Sequence, residues 1–157
     1  MTEPRVFHCA TEADSEAAGR EIASLLPQIA LFHLIGELGA GKTFLVRAIA
    51  TALGADREEV SSPTFALVHE YPRKSDPPII HIDAYRLSEN SREWMEIGIP
   101  ELLASETLRF VEWPKSGFAD MGPDAFTIEI RVLEDASREI TFTPPETSRQ
   151  DQAVSPD

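Results

Sequence analysis

A single cysteine, Cys9, stands in this 157-residue chain, so no internal disulfide can form. It lies in the short apolar run Val6-Phe7-His8-Cys9, which predicts a buried structural thiol and not a nucleophile. Positive charge is also scarce: 14 Lys and Arg against 27 Asp and Glu leave a formal net charge of −13. Such a chain is poorly suited to gripping RNA or DNA by itself, because that binding rests on neutralising phosphates. A role in a complex whose other subunits hold nucleic acid stays open. No apolar stretch approaches membrane-spanning length, and the N-terminus carries no signal-peptide pattern. The expected location is therefore cytoplasmic, with no membrane partner. Internal repeats are missing as well. The length suits one domain with a sizeable core, and an apolar content of 42% is ordinary for a globular protein.

What the chain does have is Gly36-Glu37-Leu38-Gly39-Ala40-Gly41-Lys42-Thr43, which fits G-x-x-x-x-G-K-[ST] at every fixed position. In a P-loop of this kind the glycines let backbone N–H groups turn inward around a phosphate. The helix that follows presents its N-terminal N–H groups and partial positive charge to the same anion. Lys42 then reaches the β- and γ-phosphates, and the Thr43 hydroxyl ligates Mg²⁺. The flanking sequence supplies the required context. Ile29 to Ile35 is an apolar run that suits a buried strand. Leu45, Ala48, Ile49, Ala52 and Leu53 fall on one helical face, and Gly54 sits where a helix C′ residue belongs.

The remaining pattern predicts an α/β fold. Residues 5 to 9 read as a short strand, and residues 12 to about 26 as a helix with an apolar stripe, closed by Pro27. After the P-loop helix, residues 55 to 64 read as a loop. Residues 65 to 71 and 79 to 83 read as two strands, whose short connection implies antiparallel pairing. A helical stretch follows over about 89 to 105, interrupted at Gly98, with Pro100 suited to a helix N1 position. Residues 108 to 112 form a further strand, and 126 to 143 a C-terminal hairpin turning at 134 to 137. One domain is expected over 1–143. From Pro144 the chain is polar, with three prolines and no apolar cluster, so 144–157 is expected to be a disordered tail.

A P-loop that holds Mg²⁺ needs a carboxylate beside its threonine, and a group to orient the nucleophile. Two acids follow buried apolar strands. Asp83 ends Ile79-Ile80-His81-Ile82, and Glu112 ends Leu108-Arg109-Phe110-Val111. An acid there lies at the sheet edge, where open α/β sheets bind ligands. Spacing alone leaves open which one holds the metal. Thr64 lies in the Ser/Pro loop between the P-loop helix and the next strand, where switch-type nucleotidases place a γ-phosphate sensor. Arg86 could stabilise phosphate charge in cis, or stand as a solvated or salt-bridged arginine. His33 and His81, inside apolar runs, read as satisfied core histidines, and His8 and His69 no differently. The base-reading N-K-x-D is missing, as is a D-x-x-G after the Asp83 strand. Adenine, or loose base selectivity, is the better fit.

These residues together resemble the bacterial TsaE-type ATPases of tRNA threonylcarbamoyladenosine biosynthesis. Four ordered segments carry the resemblance: the P-loop; Ser62-Pro63-Thr64-Phe65, continuing as Leu67-Val68-His69-Glu70-Tyr71; His81-Ile82-Asp83-Ala84-Tyr85-Arg86-Leu87; and Val111-Glu112-Trp113-Pro114. They span roughly residues 5 to 143. The resemblance implies a compact P-loop NTPase-like three-layer fold with a mixed central sheet. It also implies an ATPase, weak alone, that supports turnover of a complex with TsaB and TsaD. TsaD transfers the threonylcarbamoyl group, and tRNA is met only through the complex. Carried onto this chain, Thr43 and Glu112 would ligate Mg²⁺, and Asp83 would be the catalytic acid that orients or activates water. Lys42 and the amides of Gly39, Ala40 and Gly41 would hold the ATP phosphates. Trp113 would be a functional aromatic near the nucleotide or a partner, or else a core tryptophan. Thr11, before the first helix, and Arg138, in the last hairpin, are candidates for the adenosine end. One departure is visible: the family commonly has a second threonine after the metal-binding one, and here it is Phe44. That replaces a possible α-phosphate contact with an apolar side chain.

Two other readings compete. A small-molecule kinase would need an acceptor pocket and usually an arginine-bearing lid, and no arginine cluster that would make one stands out in the sequence. A nucleotide-gated binding module would bind ATP to lock an interface, without needing hydrolysis.

Overall fold

The computed structural model describes residues 3–61, 66–120 and 124–146. Seven strands form one mixed sheet in the order β1-β7-β6-β2-β5-β4-β3. The strands are β1 (Arg5–Cys9), β2 (Ala30–Gly36), β3 (Val68–Tyr71), β4 (Ile79–Asp83), β5 (Leu108–Glu112), β6 (Phe126–Val132) and β7 (Arg138–Thr143). Strand β2 is central and runs parallel to both neighbours, β5 and β6, and β5 is parallel to β4. Antiparallel pairs complete the sheet: β3 with β4, and β1 and β6 with β7.

Alternation along the strands divides the core between the two sheet faces. On one face Phe32, Leu34, Leu108, Phe110, Ile128, Ile130, Ile140 and Phe142 pack with α1 (Glu12–Leu25) and α2 (Lys42–Ala52), and Cys9 is buried here as expected. On the other, Leu31, Ile80, Ile82 and Val111 pack with Trp94, Ile99, Leu103 and Phe118, which come from α4 (Ser91–Ile97), α5 (Ile99–Leu103) and a 3-10 turn at Ser116–Asp120. This is a three-layer P-loop NTPase-like architecture.

Local chemistry fixes the two helices nearest the loop. Thr11 caps α1 in a reciprocal box: its hydroxyl accepts from Asp14 N (3.2 Å), and the Asp14 carboxylate accepts from Thr11 N (3.1 Å). Helix α1 then lies close against α2, because a Cβ on Gly19 would come within 2.9 Å of the Ala48 Cβ.

Some boundaries differ from the sequence reading. Residues 57–61, expected as loop, form a short helix, α3 (Arg57–Ser61), started by Asp56, whose carboxylate accepts from Glu58 N and Glu59 N (2.8 and 3.3 Å). Strand β3 begins at Val68, after residues 66 and 67 of the expected strand, and residue 65 lies outside the described residues. Pro100 is the second residue of its helix, not the first, because Gly98 at φ 86° both ends α4 and caps α5. Pro144 and Pro145, placed in the tail, are buried; residues 147–157 of that tail lie outside the described residues. No helix among the described residues is long and apolar enough to cross a membrane.

Candidate functional site

The loop Gly36–Thr43 joins the end of central strand β2 to helix α2, so the sheet delivers it to the carboxyl edge of its parallel strands. Gly39 and Gly41 hold φ of 82° and 105° with open space around them, a conformation that side chains strain to adopt. Helix α2 starts directly after Gly41 and has no acid in its first turn, so nothing there opposes an anion at its N-terminus.

Lys42 is only 5% exposed. Its ammonium donates to the carbonyls of Gly36 (2.5 Å) and Glu37 (3.0 Å) and sits 4.0 Å from the centre of the Trp113 ring. Burial pulls the Lys42 pKa down, and the charges of Glu112 and Asp83 partly restore it. Trp113 is held at φ 56° and packs against Tyr85 at 5.1 Å between ring centres. A left-handed non-glycine residue costs about 1–2 kcal/mol, and here it presents the ring to Lys42.

Parallel pairing sets Asp83 directly across from Glu112, and Glu112 across from Leu34, two residues before the loop. Glu112 is 3% exposed. The Thr43 hydroxyl lies 2.9 and 2.8 Å from its two carboxylate oxygens, and His81 Nε2 lies 2.6 Å from Oε2. Burial pushes the Glu112 pKa up, but hydrogen bonds and charge from His81, the Thr43 bond and the Lys42 charge outweigh it. The carboxyl therefore stays below its ordinary value and remains ionised. Asp83 is half-buried, and its carboxylate accepts from Tyr85 N at 3.1 Å.

Three adjoining cavities surround the loop. One of about 330 Å³ is lined by Thr11, Gly39, Ala40, Gly41, Phe44 and Arg138, among others. Arg138 also reaches the loop itself, donating from Nε to the Ala40 carbonyl at 3.4 Å. A second, of about 250 Å³, brings together Lys42, Thr43, Asp83, Tyr85, Glu112 and Trp113. The third, of about 460 Å³, holds Arg47, His81 and Arg86 beside Thr43, Asp83 and Glu112. Every candidate from the sequence thus borders this one region, except Thr64, which lies outside the described residues. Trp113 is partly exposed and not a core residue, and Arg86 is exposed.

The donor chemistry fits Mg²⁺ with a nucleotide: a hydroxyl and an ionised carboxylate in contact, a second acid in register beside them, and a lysine and helix N-terminus for phosphate. Among the described residues no group of three or more His, Cys, Asp or Glu is gathered to hold a metal by itself.

The structure corrects the histidine reading. His81 is buried but belongs to the site, bonded to Glu112 on one side and to the Tyr71 hydroxyl on the other (2.8 Å). His33 has a buried Nε2 with no hydrogen-bond partner, so it is not a satisfied core group. His8 is exposed, and His69 is only partly buried, its ring near those of Tyr71 and His81. Arg47 and Tyr71 were missed. Arg47 recurs four residues after Thr43, which is the one sequence signal that places it on the same helix face. The same is true of a groove beside Phe44 lined by Arg20, Arg47 and Arg57, in which Glu16 pairs with Arg20 and Arg57 at 3.6 and 3.8 Å.

The chain is similar to known proteins in sequence and in fold. Residues 9–140 match the family model described as TsaE, threonylcarbamoyl adenosine biosynthesis protein. The chain is 37% identical over 124 residues to the tRNA threonylcarbamoyladenosine biosynthesis protein TsaE of Streptomyces coelicolor, covering 78% of this chain and 82% of that one. It is 33% identical over 137 residues to the protein of the same name from Treponema pallidum, covering 86% and 98%. Among solved structures, Bacillus subtilis YdiB superposes with a TM-score of 0.68 over 98% of this chain and 93% of that one, at 22% identity. This last likeness bears on the fold.

Proposed function

Because the chain belongs to the TsaE family of threonylcarbamoyl adenosine biosynthesis proteins, we propose that it is the Mg²⁺-dependent ATPase that supports turnover of the tRNA-modifying complex, with TsaB and TsaD as partners. The observation that carries this reading is the Thr43 hydroxyl resting on the ionised Glu112 carboxylate, with Asp83 in register beside it and Lys42 above. Thr43 and Glu112 would hold Mg²⁺, which when bound supplies positive charge to the phosphate oxygens. The amides of Gly39, Ala40 and Gly41, with Lys42, would bind the β- and γ-phosphates. Lys42 must then leave the Gly36 and Glu37 carbonyls it bonds now. Asp83 would orient a water for in-line attack on the γ-phosphorus and accept its proton as the bond to the ADP oxygen breaks. Thr11, Phe44 and Arg138 would line the adenosine end. Arg86 and Trp113 would border the γ-phosphate end. The net charge of −13 accords with RNA being held by other subunits.

The test is ATP hydrolysis by this chain with and without Mg²⁺, alone and with TsaB, TsaD and tRNA from the same organism. Slow hydrolysis that rises with the partners and vanishes in Lys42→Ala is the expected result. A rate that ignores the partners would remove the proposed coupling, and a Lys42→Ala variant as active as wild type would remove the ATPase assignment.

A further inference from the structure

Behind the Thr43–Glu112 contact runs a buried line of polar side chains that the catalytic reading does not use. Tyr71 and His81 are 3% and 2% exposed. The Tyr71 hydroxyl meets His81 Nδ1 at 2.8 Å, and His81 Nε2 meets Glu112 Oε2 at 2.6 Å. Arg47, one helical turn beyond Thr43, borders the same cavity as Tyr71 and His81. A carboxylate can only accept, so His81 Nε2 carries the proton of its bond to Glu112. Nδ1 is left to the Tyr71 hydroxyl, which can donate to it or accept from it.

We propose that Tyr71 and His81 form a buried relay that positions the Glu112 carboxylate for the metal ion, both acting as positioning residues. The inference rests on the Mg²⁺–nucleotide reading of the site. A glutamate has three side-chain torsions, and Thr43 alone holds this one from the loop side. The histidine fixes it from the sheet side, through a ring that cannot turn without breaking its bond to Tyr71. Outer-shell partners of this kind orient metal ligands and raise their affinity. The relay also joins the site to strand β3, at the edge of the sheet, so any displacement of that strand changes the support of the carboxylate. The groups facing the relay from neighbouring elements are Arg47 of α2, His69 of β3 and Asp83 of β4.

The test uses the full chain and calorimetric ATP binding, in Mg²⁺ titrations and in EDTA, with Tyr71→Phe, His81→Gln and Glu112→Gln variants. Nitrogen-15 spectra of the metal-free protein supply a readout apart from activity, and should place the His81 proton on Nε2. In Tyr71→Phe the Nδ1 signal should shift. His81→Gln is expected to raise the half-saturating Mg²⁺ about 10- to 100-fold, and Tyr71→Phe by a smaller factor in the same direction. ATP affinity in EDTA should stay unchanged in both, and Tyr71→Phe should add nothing in a Glu112→Gln background. Half-saturating Mg²⁺ equal to wild type in Tyr71→Phe, or an equal effect with and without the Glu112 carboxylate, would overturn the relay. Should His81→Gln not fold, Tyr71→Phe, which loses one hydroxyl, decides by itself. A wild-type chain whose ATP binding ignores Mg²⁺ would instead overturn the metal-site reading on which the relay rests.

Discussion

Glu112 is the point where the site can be disturbed with the most legible consequence, because one carboxylate serves three partners. Glu112→Ala would leave the His81 Nε2 proton and the Thr43 hydroxyl without their acceptor and Lys42 without its nearest countercharge. Removing one partner of a buried pair costs about 3–5 kcal/mol. Against a domain stability of about 5–15 kcal/mol, that variant should be marginal. Glu112→Gln keeps the shape: the amide oxygen can still accept from His81, and the amide N–H can donate to Thr43. Only the charge assistance is lost, so the cost should be about 1–2 kcal/mol. Urea unfolding at pH 7, at about 1–3 kcal/mol per molar, should then place the Gln midpoint on the order of 1 M below wild type, with the Ala midpoint lower still. The pH dependence has a fixed sign. The folded Glu112 carboxyl lies below its unfolded value. Its contribution is fully present above the unfolded pKa of about 4.3 and is lost as pH falls through the folded pKa. The gap between wild type and Glu112→Gln should therefore narrow in acid. An Ala variant as stable as wild type at pH 7, or a gap that widens in acid, would refute the reasoning.

Three further outcomes follow from the geometry. Asp83→Asn should keep ATP affinity within about threefold and lower single-turnover hydrolysis by about 10²- to 10⁴-fold, and a wild-type rate in that variant would remove Asp83 from the chemistry. In a Trp94→Phe background the fluorescence of Trp113 should change when ATP draws Lys42 from its position 4.0 Å over the ring, and the change should be missing in Lys42→Ala. Burial lowers the His33 pKa, so protonation favours the unfolded chain. Stability should therefore be full above the unfolded value of about 6.5 and decline as pH falls from there toward the folded value; His33→Phe should remove that slope in urea midpoints taken between pH 7 and 5.

The parts of the fold that were legible are those whose causes are local. The P-loop compresses strand end, turn and helix start into eight consecutive residues, and each glycine there answers a backbone need. Strands β4 and β5 announced themselves as apolar runs ended by acids. Helix α3 was missed because Arg57-Glu58-Glu59-Val60-Ser61 has no apolar periodicity. Its start depends on the Asp56 carboxylate and its position on packing of Val60 into the core. The two prolines after β7 looked like tail composition, yet they are buried against the sheet domain. Proline limits hydrogen bonding but not burial.

The site was legible only as far as each residue's own strand could show it. His81 alternates with Ile80 and Ile82 in a run buried on both sides, so its sequence is that of a core position. Its role depends on register. His81 pairs across with Phe110, so Glu112 is the diagonal neighbour on the same face; Tyr71 stands in the same diagonal relation to it, since it pairs with Ile79. Diagonal neighbours about 7–8 Å apart are within reach of long side chains, and a slip of one residue in either pairing would turn the partner to the opposite face. The same parity puts Asp83 beside Glu112, on the face that α2 covers with Thr43 and Arg47. A hydroxyl at residue 43 and a carboxylate at residue 112 therefore meet because the strand order sets β5 between β2 and β4, and that order is a property of the folded sheet and not of any segment read alone.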